Sequence, residues 1–168
     1  MSRYSRGFTL VELILVLLLV SALAVLGIGL FSNTSSYASL ALYDQIISQS
    51  RLAQQVALGR HASTTTRLSI SSVDDKYILA VSNGVNPGVY QTVRELPREG
   101  VQITWKDSGT TGCGGGSGAD FAVHFDPSGD LISPNGLRRP TLICLSGEPQ
   151  RSVCLSTLGF AHEGPCDQ

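Results

Sequence analysis

An apolar segment near the N-terminus limits the folds open to this chain. Leu13 to Phe31 is a run of 19 residues without a charged side chain. At a helical rise of about 1.5 Å per residue it reaches roughly 28 Å, close to the hydrocarbon thickness of a bilayer. Residues 1–7 carry Arg3 and Arg6 and no acidic residue. Because basic flanks stay in the cytoplasm, we expect a membrane helix whose C-terminal domain is exported.

The segment does not read as an ordinary secretory signal. Such a signal ends in a small-residue cleavage site followed by a polar mature chain, whereas Ala22 to Ala24 are followed by further apolar residues. We therefore expect the helix to be retained. Immediately before it stands a basic-to-apolar transition with the order Arg6, Gly7, Phe8, Thr9, Leu10, Val11, Glu12, Leu13.

This order resembles the cleavage and methylation motif of prepilins, the precursors of type IV pilin-like proteins. The resemblance implies that a prepilin peptidase cuts between Gly7 and Phe8, and that the same enzyme N-methylates the new amine of Phe8. It also implies residence in the inner membrane, and then assembly with other major and minor pilin subunits on a pilus assembly platform. The expected parts are a leader (1–7), a membrane and filament-core helix (8–31) and a periplasmic or extracellular domain (32–168).

Glu12 is the unusual residue of the apolar segment. A carboxylate near the start of a spanning helix costs about 2.5 to 3.5 kcal/mol on the insertion scale. In a filament its partner would be the positive amine of Phe8 on a neighbouring subunit, which would neutralise both charges and set the axial register of the helices. A glutamate that snorkels to the membrane interface is the alternative.

Beyond the apolar segment the pattern stays helical to about Gly59. Apolar residues recur every three or four positions and predict a stripe that faces a sheet, while Arg51 and Gln54 face outward. The predicted stripe consists of Tyr37, Leu40, Tyr43, Ile47, Ala53 and Val56 to Leu58.

From Arg67 onward short alternating runs separated by turn residues predict strands. A helix followed by strands indicates an α+β fold, a long N-terminal helix packed on an antiparallel sheet as in pilins. The predicted strands are Arg67–Ser71, Tyr77–Ser82, Val89–Leu96, Val101–Trp105, Phe121–Phe125, Leu142–Leu145 and Ser152–Ser156.

Three C-terminal stretches, Phe125 to Asp130, Leu142 to Leu145 and Arg151 to Gly159, are similar to minor pilins and pseudopilins of the GspH/FimT type. Phe160 departs from that group, which often has arginine there. The resemblance implies a low-abundance type IV pilus subunit for adhesion or motility, for example of the mannose-sensitive haemagglutinin class. The alternative is a minor pseudopilin of a type II secretion system.

Four cysteines in the C-terminal third predict two disulfides, since an even number behind an export segment fits an oxidising compartment. Cys144 and Cys154 flank a segment that reads as a hairpin, so we favour pairing them and pairing Cys113 with Cys166. Three connectivities remain open. The resemblance to pilins favours a different one, because pilins often staple their C-terminal region with a spacing like that of Cys154 and Cys166.

Charge and composition indicate neither an enzyme nor a cofactor site. The net charge of −1 gives no overall attraction to nucleic acid, and none is expected as a partner. The histidines are scattered and fit no metal motif. Asp126, Ser128 and Asp130 place oxygen atoms at alternate positions, as in calcium loops, but no glutamate completes the set, and we interpret the segment as a plain turn.

Overall fold

The structure is a computed structural model that describes residues 9–30, 34–59, 64–83, 86–107 and 112–166. It divides into two compact units, Met1–Thr34 and Ser35–Gln168. The first unit contains helix α1, Leu10–Leu30. Within the described residues, no helix meets both the length and the hydropathy that a membrane crossing requires.

The second unit contains all but the first residue of helix α2, Thr34–Leu58, and the described residues after this helix form nine strands. Helix α2 ends at Leu58, and the sequence pattern predicted an end near Gly59. The prediction of one continuous helix falls on residues 31–33, which lie outside the described residues. The strands are β1 Thr66–Val73, β2 Lys76–Asn83, β3 Asn86–Pro97, β4 Ile103–Asp107, β5 Phe121–Phe125, β6 Leu131–Ile132, β7 Thr141–Leu145, β8 Arg151–Leu155 and β9 Ala161–Glu163.

The strands form two antiparallel sheets, whereas the sequence pattern predicted one. The first sheet has the order β3-β2-β1-β5-β6, and the second has the order β4-β7-β8-β9. All seven predicted strands are present. The pattern missed β6 and β9, because strands of two and three residues are too short to show alternation.

Tyr77 links the two sheets inside the core. Its side chain is 1% exposed, and its hydroxyl donates to the carbonyl of Val101 at 2.9 Å and accepts from the amide of Ile103 at 3.1 Å. Buried polar groups require such partners. Tyr77 lies on β2 and Ile103 begins β4, so one phenol satisfies backbone groups where the second sheet starts.

Helix α2 packs on both sheets, but through a face rotated from the predicted stripe. Tyr37 and Leu40 are 69% and 39% exposed, and Leu58 is also exposed. Tyr43 and Ala53 are buried as predicted. The buried face follows a four-residue and three-residue spacing and consists of Ala38, Leu42, Tyr43, Ile46, Ala53 and Ala57.

Polar residues complete this buried face. Ser50 donates its hydroxyl to the carbonyl of Ile46 at 2.7 Å, and Gln49 accepts from the hydroxyl of Thr92 at 2.7 Å. Both helical residues are buried. Because their hydrogen bonds are satisfied inside the protein, both residues are tolerated in the core. A stripe that is predicted from apolar residues alone omits them and is therefore rotated away from the observed buried face.

Candidate filament-assembly site and the disulfide-linked sheet

Thr9 caps the start of helix α1. The backbone amide of Glu12 donates to Thr9 Oγ1 at 3.3 Å, and the amide of Leu13 donates to the Thr9 carbonyl at 3.2 Å. The first amides of a helix lack partners within the helix, so a threonine at this position stabilises the helix start. Thr9 and Glu12 stand three residues apart, the spacing of a capping box. Sequence analysis missed this role, although the spacing signals it.

Glu12 therefore lies in the first turn of α1, where the positive end of the helix dipole favours a carboxylate. Its side chain is exposed within this chain. Among the described residues, no lysine, arginine or histidine forms an ion pair with it. The carboxylate is accessible to a cation from outside the described part of the chain. Gly7 and Phe8, the predicted cleavage and methylation residues, lie outside the described residues.

The surface around Glu12 is apolar on every side. All described side chains from Thr9 to Ala24 are exposed, including Leu10, Val11 and Ile14. An exposed apolar surface of this extent marks a site of protein–protein or membrane contact. A single carboxylate within it is suited to select and position a partner.

All four cysteines form disulfides, but not in the pairing that we favoured. Cys113 is bonded to Cys144 with 5.6 Å between the Cα atoms, and Cys154 is bonded to Cys166 with 5.1 Å. The Cys144–Cys154 and Cys113–Cys166 pairing is therefore wrong. The pairing of Cys154 with Cys166 is the one that the resemblance to pilins favoured.

The register of β7 and β8 explains the correction. Cys144 stands opposite Ser152, and Cys154 stands opposite Leu142. The two cysteines are thus displaced by two positions along the hairpin, and each bonds to a segment outside it. The register of a hairpin depends on the length of its loop. The number of residues between the two cysteines does not give that loop length, so it did not reveal which residues stand opposite each other.

Both disulfides lie on one face of the second sheet. Cys144, Cys154 and Cys166 form a small buried cluster with Leu142, and Cys113 packs against it. The loop that carries Cys113 is held beside β4 by a pair of backbone hydrogen bonds, both 2.9 Å, between Trp105 and Ser117. The disulfides thus attach the glycine-rich loop and the C-terminal segment to the central strands β7 and β8.

The loop after β5 binds an arginine side chain. Asp126 Oδ1 accepts the backbone amides of Ser128 at 2.9 Å and Asp130 at 3.0 Å, which makes it a turn residue as predicted. Arg138 then pairs with Asp126 and, at 2.7 Å, with Asp130. The guanidinium binds both carboxylates, which a calcium ion in this loop would need as ligands. Within the described residues, no group of three or more histidines, cysteines, aspartates or glutamates is arranged to hold a metal.

The two histidines that the structure describes lie apart. His162 is exposed on β9, and His124 lies partly buried on β5. Burial lowers the pKa of His124 below its ordinary value, and the neighbouring Arg67 lowers that pKa further. His61 lies outside the described residues. No two described histidines form a joint site.

Comparison with known protein families identifies one region. The family model described as the prokaryotic N-terminal methylation motif matches residues 2–28, a range that contains Gly7, Phe8, Thr9 and Glu12. The comparisons with curated proteins and with solved structures found no match. The motif implies processing by a prepilin peptidase, anchoring in a membrane and assembly with other pilins. The matched motif, followed by a domain whose described residues form helix α2 and two antiparallel sheets, supports a structural subunit of the type IV pilin-like family.

Proposed function

We propose that this chain is a low-abundance subunit of a type IV pilus that primes or tips the filament. Residues 8–31 would anchor it in the inner membrane before assembly, with residues 32–168 on the periplasmic side. The observation that carries the proposal is the position of Glu12. It lies inside the matched methylation motif, at the start of a helix with an apolar surface, and it has no described cationic partner.

In the proposed assembly step, helix α1 moves from the bilayer into the filament. In the bilayer the exposed apolar side chains contact lipid, and in the filament they contact the helices of other subunits. The Glu12 carboxylate then leaves the membrane interface and enters an apolar bundle, where an unpaired charge is strongly destabilising. The amine of Phe8 on a neighbouring subunit, released by cleavage after Gly7, would compensate it.

Intact mass measurement of the chain from membranes and from sheared filaments tests the processing step. We expect a chain that begins at Phe8 and is heavier by one methyl group. A Gly7→Val variant, which alters the cleavage site and leaves α1 unchanged, is the control and should keep residues 1–7. A wild-type chain in filaments that still carries its first seven residues would overturn the proposal.

Variants of Glu12 and Thr9 separate charge pairing from helix capping. Glu12→Gln keeps a side chain of the same size but removes the charge, so we expect normal insertion and processing with greatly reduced recovery in filaments. Thr9→Ala removes the cap, at about 1 kcal/mol of helix stability, and keeps the charge, so filaments should still contain it. Equal incorporation of Glu12→Gln and the wild type would contradict the charge pairing. Loss of filament incorporation in Thr9→Ala alone would mean that the site acts by capping the helix.

The matched motif also fits a minor pseudopilin of a type II secretion system, which has the same N-terminal chemistry. The two functions differ in where the assembled chain accumulates and in what its deletion impairs. We expect the chain in filaments sheared from the cell surface, and defects in adhesion or motility on deletion. Periplasmic retention together with loss of enzyme secretion would favour the pseudopilin.

A further inference from the structure

A groove lies beside strands β1 and β5 of the first sheet, lined by outward-facing polar side chains together with Ile70, Phe121 and Trp105. Its volume is about 530 Å³, within the range of small-molecule sites. Alternate residues of β1 and β5 form its floor, since the buried positions of the same strands, such as Leu68 and Val123, face the core. Trp105 and Asn135 form part of its wall.

One end of the groove is cationic. Arg67 on β1 stands directly opposite His124 on β5. The Nε atom of Arg67 is buried and has no acceptor among the described residues. A buried guanidinium N–H without an acceptor is destabilising. Arg67 lines the groove, and an anion placed between these two side chains would accept charge-assisted hydrogen bonds from its guanidinium. Burial, followed by the charge of Arg67, lowers the pKa of His124, so the pair avoids a second positive charge in the free protein.

The other end of the groove is acidic. Asp120 and Ser71 line it, and Asp120 Oδ1 accepts the backbone amide of Ser72 at 2.9 Å. Ser71 follows Arg67 by four positions on β1, a distance of about 13 Å along the strand. Ser69 and Ala122, which stand opposite each other between the two ends, provide a floor of small side chains. The groove thus has a cationic end, an uncharged middle and an acidic end.

The wall is held in place by contacts of its own. The Trp105 ring lies 5.4 Å from the Phe121 ring, centroid to centroid, and its backbone pairs with Ser117. Asn135 donates its side-chain amide to Asp107 Oδ2, which also accepts the hydroxyl of Ser133. An indole beside hydroxyl, amide and carboxylate groups offers both apolar and hydrogen-bonding contacts to a ring that carries hydroxyl groups.

We propose that this groove binds an acidic saccharide, with a uronate carboxylate between Arg67 and His124 and sugar hydroxyls directed toward Ser69, Asn135 and Asp120. The carboxylate would accept charge-assisted hydrogen bonds from the guanidinium, and Asp120 would accept hydrogen bonds from sugar hydroxyls. The groove is unsuited to a polyanion such as nucleic acid, because the acidic end repels a second phosphate. This activity is separate from filament assembly.

Trp105 is the only tryptophan of the chain, so its fluorescence reports directly on the groove. The experiment titrates the full-length chain, purified in a non-ionic detergent, with trigalacturonate. Galactotriose tests the need for the carboxylate, inorganic phosphate tests for a simple anion site, and triglutamate tests for an acidic peptide. We expect saturable binding of trigalacturonate and at least about tenfold weaker binding of the other three, the loss that one charge-assisted hydrogen bond implies.

Arg67→Gln should weaken trigalacturonate binding about tenfold or more. Arg94→Gln is the matched control, because Arg94 is exposed on β3 of the same sheet, lies outside the groove and gives the same change of net charge. Ala122→Leu should also abolish binding by filling the floor while all charges remain. Its melting transition, compared with that of the wild type, shows that the fold is intact.

Three outcomes would overturn the proposal. The first is the absence of saturable trigalacturonate binding by the wild type. The second is equal binding by Arg67→Gln and Arg94→Gln when both variants melt like the wild type. The third is tighter binding of triglutamate or phosphate than of trigalacturonate, which would assign the groove to a peptide or to a simple anion.

Discussion

The side-chain amide of Gln54 donates a hydrogen bond to the carbonyl of Leu158, 104 residues further along the chain, at 2.8 Å. The same Nε2 atom also donates to the carbonyl of Gly129 at 3.3 Å. One residue of α2 thus holds the turn after β5 and the turn after β8. Our sequence analysis expected Gln54 to face outward, and the structure corrects this, because both carbonyls belong to turns that reach the helix only in the folded domain.

Gly159 tests this contact region. Its φ is +79°, and a Cβ atom there would lie 2.1 Å from the Gly129 carbonyl oxygen. We expect Gly159→Ala to reduce the free energy of unfolding by about 3 kcal/mol, combining backbone strain with the clash. Gly136→Ala is the control, since Gly136 has φ +78° with nothing within 4 Å of a Cβ atom, and should cost about 1 kcal/mol. Urea unfolding measures both, and equal losses would contradict the close approach.

The disulfide connectivity predicts both a peptide map and a stability order. Digestion without reduction should yield Cys113 linked to Cys144 and Cys154 linked to Cys166. Because the sequence separations are 31 and 12 residues, replacing the first pair by serine should cost about 1 kcal/mol more than replacing the second in the chain-entropy account. A peptide that links Cys144 to Cys154 would contradict the structure.

His124 should make stability depend on pH. Its pKa is lower in the folded protein than the ordinary 6.5, because of burial and then Arg67. Between the pKa of the folded protein and 6.5, the unfolded chain binds more protons than the folded protein does. Stability should therefore fall as the pH drops below about 6.5 and level off below the folded pKa. The carboxylate of Asp120, at the other end of the same groove, does not reverse this direction.

The measurement is urea unfolding from pH 8 to pH 5. His124→Gln should remove part of the decline, whereas His162→Gln, which changes an exposed histidine, should leave it as in the wild type. Parallel curves for His124→Gln and the wild type would mean that His124 does not carry this dependence.

The Asp126–Arg138 pair predicts an unequal response to its two truncations. Asp126→Ala removes the acceptor of two backbone amides as well as the ion pair, and should cost about 2 to 3 kcal/mol. Arg138→Ala removes an exposed partner and should cost about 1 kcal/mol or less. Thermal unfolding measures both. Added calcium should not raise the wild-type midpoint, and a clear rise would show that the ion displaces Arg138.

Much of this molecule could be predicted from local pattern. The strands around Leu68 and Val123 alternate buried and outward residues, and that period depends only on the geometry of a strand. The motif around Gly7, Phe8 and Glu12 could be recognised in the same way, because its residues are close together in the sequence. Features that involve only neighbouring residues can therefore be predicted from the sequence.

The features that the sequence left undecided depend on which residues lie opposite one another in the folded domain. The α2 pattern is compatible with two adjacent faces, and packing on both sheets selected the one with Ala38 and Leu42 rather than Tyr37 and Leu40. Cys144 and Cys154 looked opposed until the register placed Ser152 opposite Cys144. The Arg67–His124 end of the groove likewise exists only because β1 pairs with β5 across more than 50 residues of chain. Such pairings depend on the free energy of the whole packed domain, which no short window of sequence contains.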